Sequence, residues 1–534
     1  MTSTISKSNA RTLRTLLEEN ALRYGTLPAV VGKQGETVSH ARLWEEVSAL
    51  SATLAPRLAP GAHVLLLGKD GYPFLRAFLA LTIGGAVPVP AAATLTPEAL
   101  STLAKAADAT AVLYNAGAAE QIAALSGLTA IPLEELPQLM GEDHSLDAVP
   151  SSLDPESPAV ICYTADAAKG VVLSHRCVVA LLTDTARAQK LTEADRALSL
   201  LPLSHPWGLL LGVLLPLSRG GSVAFADGMG SLLATMRAHR PTFLVTLPFL
   251  ADALLEKYRQ TVSKNGLAAE VRRTVALTDP IRPIAAGQSA KHRRLAVSRR
   301  LFGGALRRML VVGGPLAPQT QKGLWQIGIL TTQGYGKTEA AGLMATGGAN
   351  ALHVLPSAEL EICSPQPDGS GEVRYRGENL FSGYYNDDAA TEAMLREGWL
   401  YTGDMGRLDE TGRLCLIGRK ENALHPDADT VICPEELELL LCESPLVREA
   451  AVVTIPGEAD ASAELVAILG LDAADLDDPE ATERLMEEWV RHVNEGLPAY
   501  KQLALFTLRA APLCRNAAGQ PDRTALAREL LPET

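Results

Sequence analysis

Several short blocks of the sequence contain glycines, and all but one of them also carry hydroxyl, imidazole, carboxylate or cationic side chains. In chain order they are 163–171 (YTADAAKGV), 201–208 (LPLSHPWG), 311–316 (VVGGPL), 333–339 (QGYGKTE), 401–404 (YTGD) and 418–421 (GRKE). Glycine-rich turns can present backbone N–H groups to phosphate. A carboxylate such as Glu339 is a hard oxygen ligand suited to Mg²⁺. These residue types make the blocks candidates for binding phosphate and a divalent cation.

The segments around these blocks alternate between strand-like and helix-like patterns. Apolar residues recur at helical spacing from Leu43 to Leu54, after a possible cap at Ser39, and Thr96 with Pro97 predicts the start of another helix. Short apolar runs predict buried strands at 64–67, 86–89, 111–114, 160–162, 223–225, 243–245 and 310–312. Strand, helix and strand at this spacing predict a parallel sheet covered by helices.

The pattern changes after about residue 357, where exposed-type strands with glycine-rich turns begin. A polar, helix-poor stretch at 419–430 is typical of a linker. The segment after it predicts a compact module of about 110 residues with helices at 434–442 and 479–493 and strands at 450–455, 465–469 and 505–508. We therefore predict a large α/β N-terminal domain with parallel and mixed sheets at 1–418, a linker at 419–430, and a small α+β domain at 431–534.

A chain of 534 residues is too long for one hydrophobic core, so at least two domains are expected.

The charge and aromatic content of the chain exclude one class of partner. Its net charge is −13 and only 4% of its residues are aromatic. Nucleic acid needs clustered cations or stacking aromatic rings, so we expect no nucleic-acid partner.

Cysteine usage and hydropathy point to the cytoplasm. The seven cysteines are odd in number and form no CxxC pair, which argues against a disulfide framework or a zinc site. The segment 1–14 shows no apolar core of a signal peptide. The longest apolar run, 209–217, is broken by Gly212 and Pro216 and is far below the roughly 20 residues that span a bilayer. Buried helix or strand is the better interpretation of that run.

Taken in order, the blocks resemble the signature blocks of the adenylate-forming superfamily, which includes acyl-CoA synthetases, peptide-synthetase adenylation domains and luciferases. Block 333–339 is similar to the family's GYGxTE block, 401–404 to its YTGD block, and 418–421 to its hinge block. The segment from Gly371-Glu372 to Gly383-Tyr384-Tyr385 is similar to its GE…GYY block. The resemblance extends over nearly the full length and is nearest to acyl- and aryl-CoA ligases.

The resemblance implies a two-step ligase. A carboxylate attacks the α-phosphate of Mg·ATP, which gives an acyl-adenylate and pyrophosphate. The thiol of CoA, or of the pantetheine arm of an acyl carrier protein, then displaces AMP. The C-terminal domain is implied to act as a mobile lid that rotates about the hinge between the steps.

The resemblance also implies roles for individual residues. Glu339 would hold Mg²⁺, Thr338 a phosphate oxygen, Asp404 the ribose hydroxyls, and Arg419 ribose or phosphate. His205 would lie between the acid pocket and the nucleotide. Further nucleotide contacts would come from Thr164, Lys169, Gly314, Pro315, Gly334, Tyr335 and Gly336. Taken alone, Glu339 could be a surface carboxylate, His205 a packed histidine and Asp404 a turn residue.

The phosphate-binding block departs from the family pattern. The family has roughly YTSGTTGxPKGV, whereas this chain has Tyr163 to Val171, without three residues and without the loop glycines before Lys169. Thr164 remains, and Asp166 adds a carboxylate that repels a triphosphate unless it holds Mg²⁺. The match resumes at Lys169-Gly170, so the alignment holds.

Two further departures lie nearer the C-terminus. The family's adenylation lysine falls at Gln520, and losing a charged donor to the transition state costs on the order of 3 kcal/mol, about a hundredfold in rate. Lys501 is a candidate substitute. In the linker, His425 replaces a lysine used in thioester formation, and the IKxxG glycine is absent.

Two functions stay open. One is a working ligase of ATP, a carboxylic acid and CoA or a carrier protein, with impaired adenylation expected. The alternative is a non-adenylating relative that acts in thioester transfer or as a partner in a biosynthetic complex. Apolar residues around Phe249 and 342–344 favour an acyl or aryl acid. The basic stretch 291–308 is either a solvated helix face or a docking patch for an acidic carrier protein or for a phosphate of CoA.

Overall fold

The computed structural model describes residues 11–32, 35–123, 125–136, 150–163, 169–226, 228–264, 301–348, 350–427, 430–457, 463–471, 479–516 and 521–531. The chain divides into two compact units. The first contains 1–360 and 375–400, and the second contains 361–374 and 401–534. The predicted domains at 1–418 and 431–534, joined by a linker at 419–430, stay a prediction.

The first unit holds most of the strands. In chain order these are β1 Pro28–Val31, β2 Thr37–Ser39, β3 His63–Leu67, β4 Val87–Ala91, β5 Ala111–Tyr114, β6 Thr129–Pro132, β7 Pro158–Tyr163, β8 Gly170–Ser174, β9 Arg196–Ser199, β10 Ser222–Phe225, β11 Phe243–Thr246, β12 Arg308–Val311, β13 Leu330–Tyr335, β14 Ala345–Gly348 and β15 Ala351–Val354. The remaining strands of the chain are β16 Glu359–Cys363, β17 Gly371–Arg376, β18 Gly383–Tyr384, β19 Leu395–Arg396, β20 Trp399–Leu408, β21 Leu414–Arg419, β22 Glu449–Ile455, β23 Glu464–Gly470 and β24 Leu505–Arg509. The boundary between the units falls within β16, β17 and β20.

The helices of the first unit are Leu13–Tyr24, His40–Leu54, Tyr72–Ile83, Pro97–Ala106, Ala119–Ile122, His175–Gln189, Leu215–Leu217, Leu232–His239, Pro248–Lys264, Pro318–Gln326 and Asp388–Met394. Two predicted caps are confirmed, because the Ser39 side chain accepts from Arg42 N and that of Thr96 from Ala99 N. The apolar run after His205 forms a π-helix, Trp207–Leu214, which continues into Leu215–Leu217. Among the described residues, no helix is both long and apolar enough to cross a bilayer.

Three sheets build the first unit. A parallel sheet has the order β4-β3-β5-β6, and an antiparallel sheet has the order β18-β8-β7. The largest sheet runs β15-β14-β13-β12-β11-β9-β10-β1-β2 within this unit. Its central strands β10, β9, β11, β12 and β13 are parallel, so their carboxyl ends lie at one edge. The predicted α/β domain with parallel and mixed sheets is confirmed.

The second unit contains the strands of the C-terminal part. Strands β20 and β21 pair antiparallel, and β22, β23 and β24 form a three-stranded sheet in which β22 is antiparallel and β24 parallel to β23. Helices Pro434–Leu441, Pro479–Glu495 and Arg523–Leu530 accompany this sheet, as the α+β prediction requires. The first two helices form a core with the strands around fully buried residues such as Leu437, Val452 and Leu469, and Leu526 of the last helix packs with Val453 and Ile468.

Candidate active site

The carboxyl ends of the parallel strands in the large sheet bring three predicted blocks together. The block 201–208 follows β9, the block 311–316 ends β12, and the block 333–339 ends β13. The segment Leu247-Pro248 follows β11 between them. In open α/β sheets, ligands bind at the carboxyl ends of the strands. This edge is therefore the candidate site.

Trp207 packs these loops against one another. Its indole Nε1 donates a 2.8 Å hydrogen bond to the carbonyl oxygen of Gly342. A Cβ atom added to Gly313 would lie 2.8 Å from Trp207 Cζ3, and one added to Gly342 would lie 3.0 Å from Cδ1. Both glycines have positive φ, +85° and +106°. The ring thus contacts the loops after β12 and β13, and only glycine permits these approaches.

The predicted gate residue His205 lies directly before this ring. Its Nδ1 accepts a 3.2 Å hydrogen bond from Trp207 N, and the two rings are 4.5 Å apart between centroids. Desolvation by the surrounding protein atoms lowers the pKa of His205 below its ordinary value, although part of the residue is exposed to solvent. Because Nδ1 accepts, Nε2 carries the proton of the neutral ring. His205 is therefore placed as a hydrogen-bond donor at this edge rather than buried in the core.

Packing requires glycine at position 336, where an added Cβ would meet backbone atoms, more strictly than at position 334, where it would meet side-chain ends. A Cβ at Gly334 would lie 2.7 Å from Leu343 Cδ1, and one at Gly336 would meet the carbonyl oxygen of Gly342 and lie 2.5 Å from Leu343 Cα. The chain after Tyr335 is thereby pressed against 342–343 and turns into the short 3₁₀ segment Thr338–Ala340. In the turn after β12, Gly313 rather than Gly314 has the positive φ, and Pro315 is exposed beyond it.

Glu339 lies in this 3₁₀ segment with only 8% of its surface exposed. The Tyr384 hydroxyl donates a 2.6 Å hydrogen bond to its Oε1. The amino group of Lys169 lies 4.9 Å from the centre of the Tyr384 ring. A buried, hydrogen-bonded carboxylate at the mouth of a parallel sheet fits the hard-oxygen ligand that Mg²⁺ requires.

Asn379 stabilises the turn after Glu339 through side-chain hydrogen bonds. Its Nδ2 donates to the carbonyl oxygens of Ala340 and Leu343, at 3.0 and 2.9 Å, and its Oδ1 accepts from the buried Tyr375 hydroxyl at 2.7 Å. These bonds satisfy carbonyls that the short 3₁₀ segment leaves open, and they fix Glu339 at the sheet edge.

The predicted phosphate-binding block lies between β7 and β8 in the sequence. Tyr163 and Gly170 are directly opposite in the antiparallel register, so only six residues link them. A Cβ at Gly170 would lie 2.8 Å from the Tyr163 ring. Lys169 is exposed at the start of β8. Thr164 and Asp166 lie outside the described residues.

The predicted ribose residues are paired with each other in the second unit. Asp404 on β20 is opposite Arg419 on β21, and Arg419 Nε lies 3.1 Å from Asp404 Oδ1. Asp404 is 6% exposed, and its backbone N–H is bonded to Thr402 Oγ1. Glu339 and Asp404 belong to different units, and their roles toward one nucleotide stay a prediction.

The remaining predicted residues lie near the C-terminus. His425 is exposed beside the bridge between Leu424 and Ile432. Gln520 lies outside the described residues, but the chain is anchored just after it. Asp522 caps the last helix, and Arg523 donates to both oxygens of Glu438 at 2.8 and 2.9 Å.

Lys501 is engaged elsewhere. It is 3% exposed, and its Nζ lies 2.7 Å from both Asp368 Oδ2 and Glu436 Oε2. Burial opposes its charge, but the hydrogen bonds to these two carboxylates outweigh that effect and raise the pKa of Lys501. Its role in this structure is therefore to neutralise two acids, which leaves the suggested substitution for the missing lysine without geometric support.

Most of the basic stretch 291–308 lies outside the described residues, but its end is described. Arg307 Nη2 lies 2.8 Å from Asp195 Oδ1, and Arg308 Nη1 donates to the carbonyls of Gln189 and Lys190 at 2.6 Å. These two arginines make contacts within the fold, and the docking-patch interpretation of the stretch stays a prediction.

Sequence analysis missed Tyr384, Asn379 and Trp207 as site residues. Each lies within or beside a recognised block, but the blocks were interpreted for their charged and glycine positions. Tyr384 meets Glu339 from 45 positions away, and Trp207 meets Gly342 from 135. The useful signal was that a tyrosine and a tryptophan stood inside motifs made otherwise of small or polar residues.

Comparisons with known proteins agree with this geometry. A family model described as AMP-binding enzyme matches residues 17–385. A long-chain-fatty-acid–CoA ligase of Rattus norvegicus is 28% identical over 60% of this chain and 49% of its own length, so the chain spans about half of that relative. 4-Coumarate–CoA ligase 3 of Oryza sativa subsp. japonica is 25% identical over 99% of this chain and 97% of its own length.

Solved structures show the same fold. Apo MatB from Rhodopseudomonas palustris superposes with a TM-score of 0.76 at 21% identity, covering 97% of this chain and 98% of its own. o-Succinylbenzoate CoA synthetase from Bacillus subtilis, in complex with its acyl-adenylate intermediate, gives 0.70 at 21% identity over 96% and 97%. At these identities the likeness establishes the architecture.

Proposed function

The chain belongs to the AMP-binding enzyme family, as its signature blocks indicated, and we propose that it is an ATP-dependent ligase that joins a carboxylic acid to a thiol. One observation supports this proposal most directly. The blocks around His205, Gly314 and Glu339 follow the carboxyl ends of neighbouring parallel strands, and Trp207 packs them together. The related proteins named above are acid–CoA ligases, which favours this function over the non-adenylating alternative.

The first step forms the acyl-adenylate. An oxygen of the substrate carboxylate bonds to the α-phosphorus of ATP while the bond to the bridging oxygen breaks, and pyrophosphate leaves with that electron pair. Glu339 would hold Mg²⁺, which when bound neutralises phosphate charge. Thr338, Lys169 and Thr164 would contact phosphate oxygens, and the turn at 313–315 would border the base.

The second step transfers the acyl group. The sulfur of a thiol bonds to the acyl carbon, the bond to the phosphate oxygen of AMP breaks, and the thiol proton leaves to solvent or a base. We propose that Asp404 and Arg419 hold the ribose, and that His425 lies in the linker about which the C-terminal domain rotates. CoA is the proposed acceptor, and a carrier-protein arm is the second candidate.

Adenylation is proposed to be slow. The six-residue link between Tyr163 and Gly170 removes glycines that present backbone N–H groups, and Gln520 removes a charged donor. Both changes reduce the stabilisation of the same triphosphate, so their effects should combine.

The decisive experiment is ATP–pyrophosphate exchange with a panel of fatty and aryl acids, followed by mass spectrometry of thioesters formed with CoA. Glu339→Gln should abolish exchange, because an amide is a poor Mg²⁺ ligand. Glu392→Gln, an exposed position on helix Asp388–Met394, is the matched control and should retain it. If no acid supports exchange or thioester formation in the wild type, the ligase proposal is wrong.

A further inference from the structure

Tyr384 contacts both Lys169 and the carboxylate proposed to bind metal. It ends the short strand β18, which pairs with β8 so that Tyr384 lies opposite Val171, two residues after Lys169. Only 5% of its surface is exposed. From this strand its hydroxyl reaches Glu339 Oε1 at 2.6 Å.

The side chain is fixed from several directions. Its backbone N–H donates a 2.8 Å hydrogen bond to Thr391 Oγ1, and Phe381 packs edge-on against its ring at 5.0 Å between centroids. The Lys169 ammonium lies over the ring, an arrangement that cation–π attraction favours. These contacts fix the orientation of the ring and therefore the position of its hydroxyl.

The hydroxyl of Tyr384 donates to the Glu339 carboxylate from a buried position. Among the residues that the structure describes, Tyr384 makes the one hydrogen bond recorded to the Glu339 carboxylate. The bond occupies Oε1 and orients the carboxylate plane, which leaves Oε2 for a further ligand.

We propose that Tyr384 is a positioning residue that orients Glu339 toward a nucleotide-bound divalent cation, and that Lys169 helps to fix the tyrosine ring. The proposal rests on the proposed function for its ligand. Partners that orient metal ligands from behind typically change metal affinity by about 10- to 100-fold when removed.

The test uses the full-length protein, ATP and Mn²⁺, whose free form is measured by electron paramagnetic resonance. Tyr384→Phe removes the hydroxyl and keeps the ring. It should weaken binding of Mn²⁺·ATP about tenfold while binding of AMP in EDTA is unchanged. Tyr385→Phe is the matched control, since the neighbouring hydroxyl is bonded to Asp108 on the surface, and it should change neither affinity.

A double-mutant cycle separates positioning from a general structural effect. In a Glu339→Gln background, Tyr384→Phe should cause little further loss of Mn²⁺·ATP affinity, because the carboxylate through which it acts is gone. Equal loss in both backgrounds, loss of AMP binding in EDTA, or full Mn²⁺·ATP affinity in Tyr384→Phe would overturn the proposal. Thermal melting of each variant identifies a folding defect, and a Tyr384→Phe protein that does not fold also counts against it, because positioning alone predicts a folded variant.

Failure of the ligase function gives a different result. If the wild type binds Mn²⁺·ATP but no acid supports pyrophosphate exchange, the ligase proposal fails and the positioning role of Tyr384 stands or falls on the cycle alone. If the wild type does not bind Mn²⁺·ATP, the positioning role is refuted.

Discussion

Trp207 and Gly342 are joined by a 2.8 Å hydrogen bond from the indole Nε1 to the glycine carbonyl, and this bond links the loop after β9 to the turn after Glu339. Trp207→Phe keeps most of the ring contact but leaves the Gly342 carbonyl without this donor. We expect a loss of about 1 to 3 kcal/mol in the free energy of unfolding. Urea titration measures it, with Trp325→Phe, on a partly exposed helix surface, as the control. Equal small effects in both variants would show that the bond contributes nothing.

Adjacent glycines in the turn after β12 should respond differently to alanine. Gly313 has φ +85°, and its added Cβ would lie 2.8 Å from Trp207, whereas a Cβ at Gly314 would make an ordinary 3.5 Å contact with Pro248. Gly313→Ala should therefore cost about 2 kcal/mol or more of stability, and Gly314→Ala should cost little. Thermal melting decides it. If Gly314→Ala is instead the less stable variant, the packing described here is incorrect.

Lys501→Met should be strongly destabilising. The change removes the cation that Asp368 and Glu436 share, so that Glu436 keeps only its pair with Arg407, and breaking a buried ion pair costs about 3 kcal/mol or more. Lys420→Met, which removes an exposed lysine paired with Glu372 at 2.8 Å, should cost under about 1 kcal/mol. Denaturant titration of both variants tests the contrast.

The same cluster sets a response to acid. Burial opposes ionisation of Asp368, but hydrogen bonds from Lys501 and Ser370 outweigh it and lower the pKa of Asp368. The ionised Asp368 therefore stabilises the folded protein at pH values above the ordinary carboxyl pKa of about 4. This stabilisation is lost as the pH falls below that value. Asp368→Asn should show a shallower loss of stability in this acid window than the wild type does.

His175 should cause a second loss of stability at less acidic pH. Burial lowers the pKa of this histidine to about 4, and its Nδ1 accepts a 3.3 Å hydrogen bond from Leu13 N. The unfolded chain binds a proton near pH 6.5 and the folded chain only near 4, so stability falls as pH decreases between these values. Urea titrations at pH 7, 5.5 and 4.5 should show a flatter dependence in His175→Gln. Parallel curves for the two proteins would contradict this assignment.

Gln520→Lys restores the charge that the family places at this position. We expect pyrophosphate exchange to rise by about ten- to a hundredfold with the best acid. Asn516→Lys, which adds the same charge four positions earlier, is the control for a general electrostatic effect and should leave the rate near that of the wild type. If the wild type already exchanges rapidly and Gln520→Lys does not raise the rate, adenylation is not limited at this position.

Local features of the fold were predictable because their causes are local. The caps at Ser39 and Thr96 depend on a side chain and an N–H group three residues away, and both are confirmed. The helix at 479–493 and the strand at 465–469 also form within one or two residues of the predicted bounds. Short-range hydrogen bonding and hydrophobic periodicity therefore sufficed for the elements.

The contacts of the site were not predictable in the same way. The blocks were recognised, but the bond between Tyr384 and Glu339 depends on β18 pairing with β8, more than 200 residues earlier in the chain. Likewise, the sequence shows Lys501 as an available cation, whereas folding places two carboxylates beside it. Partners brought together by tertiary pairing leave no periodicity in the sequence.

The π-helix Trp207–Leu214 has a consequence for how the protein tolerates insertion and deletion. A π-helix uses i→i+5 hydrogen bonds and has a wider turn than an α-helix. Deleting a single leucine there would remove the residue that the wider turn accommodates and would change the path between Trp207 and the helix Leu215–Leu217. The place of Trp207 beside Gly313 and Gly342 therefore depends on the number of residues in this run. The length of the run is a tighter constraint than its composition, since exchanging one apolar residue for another leaves that number unchanged.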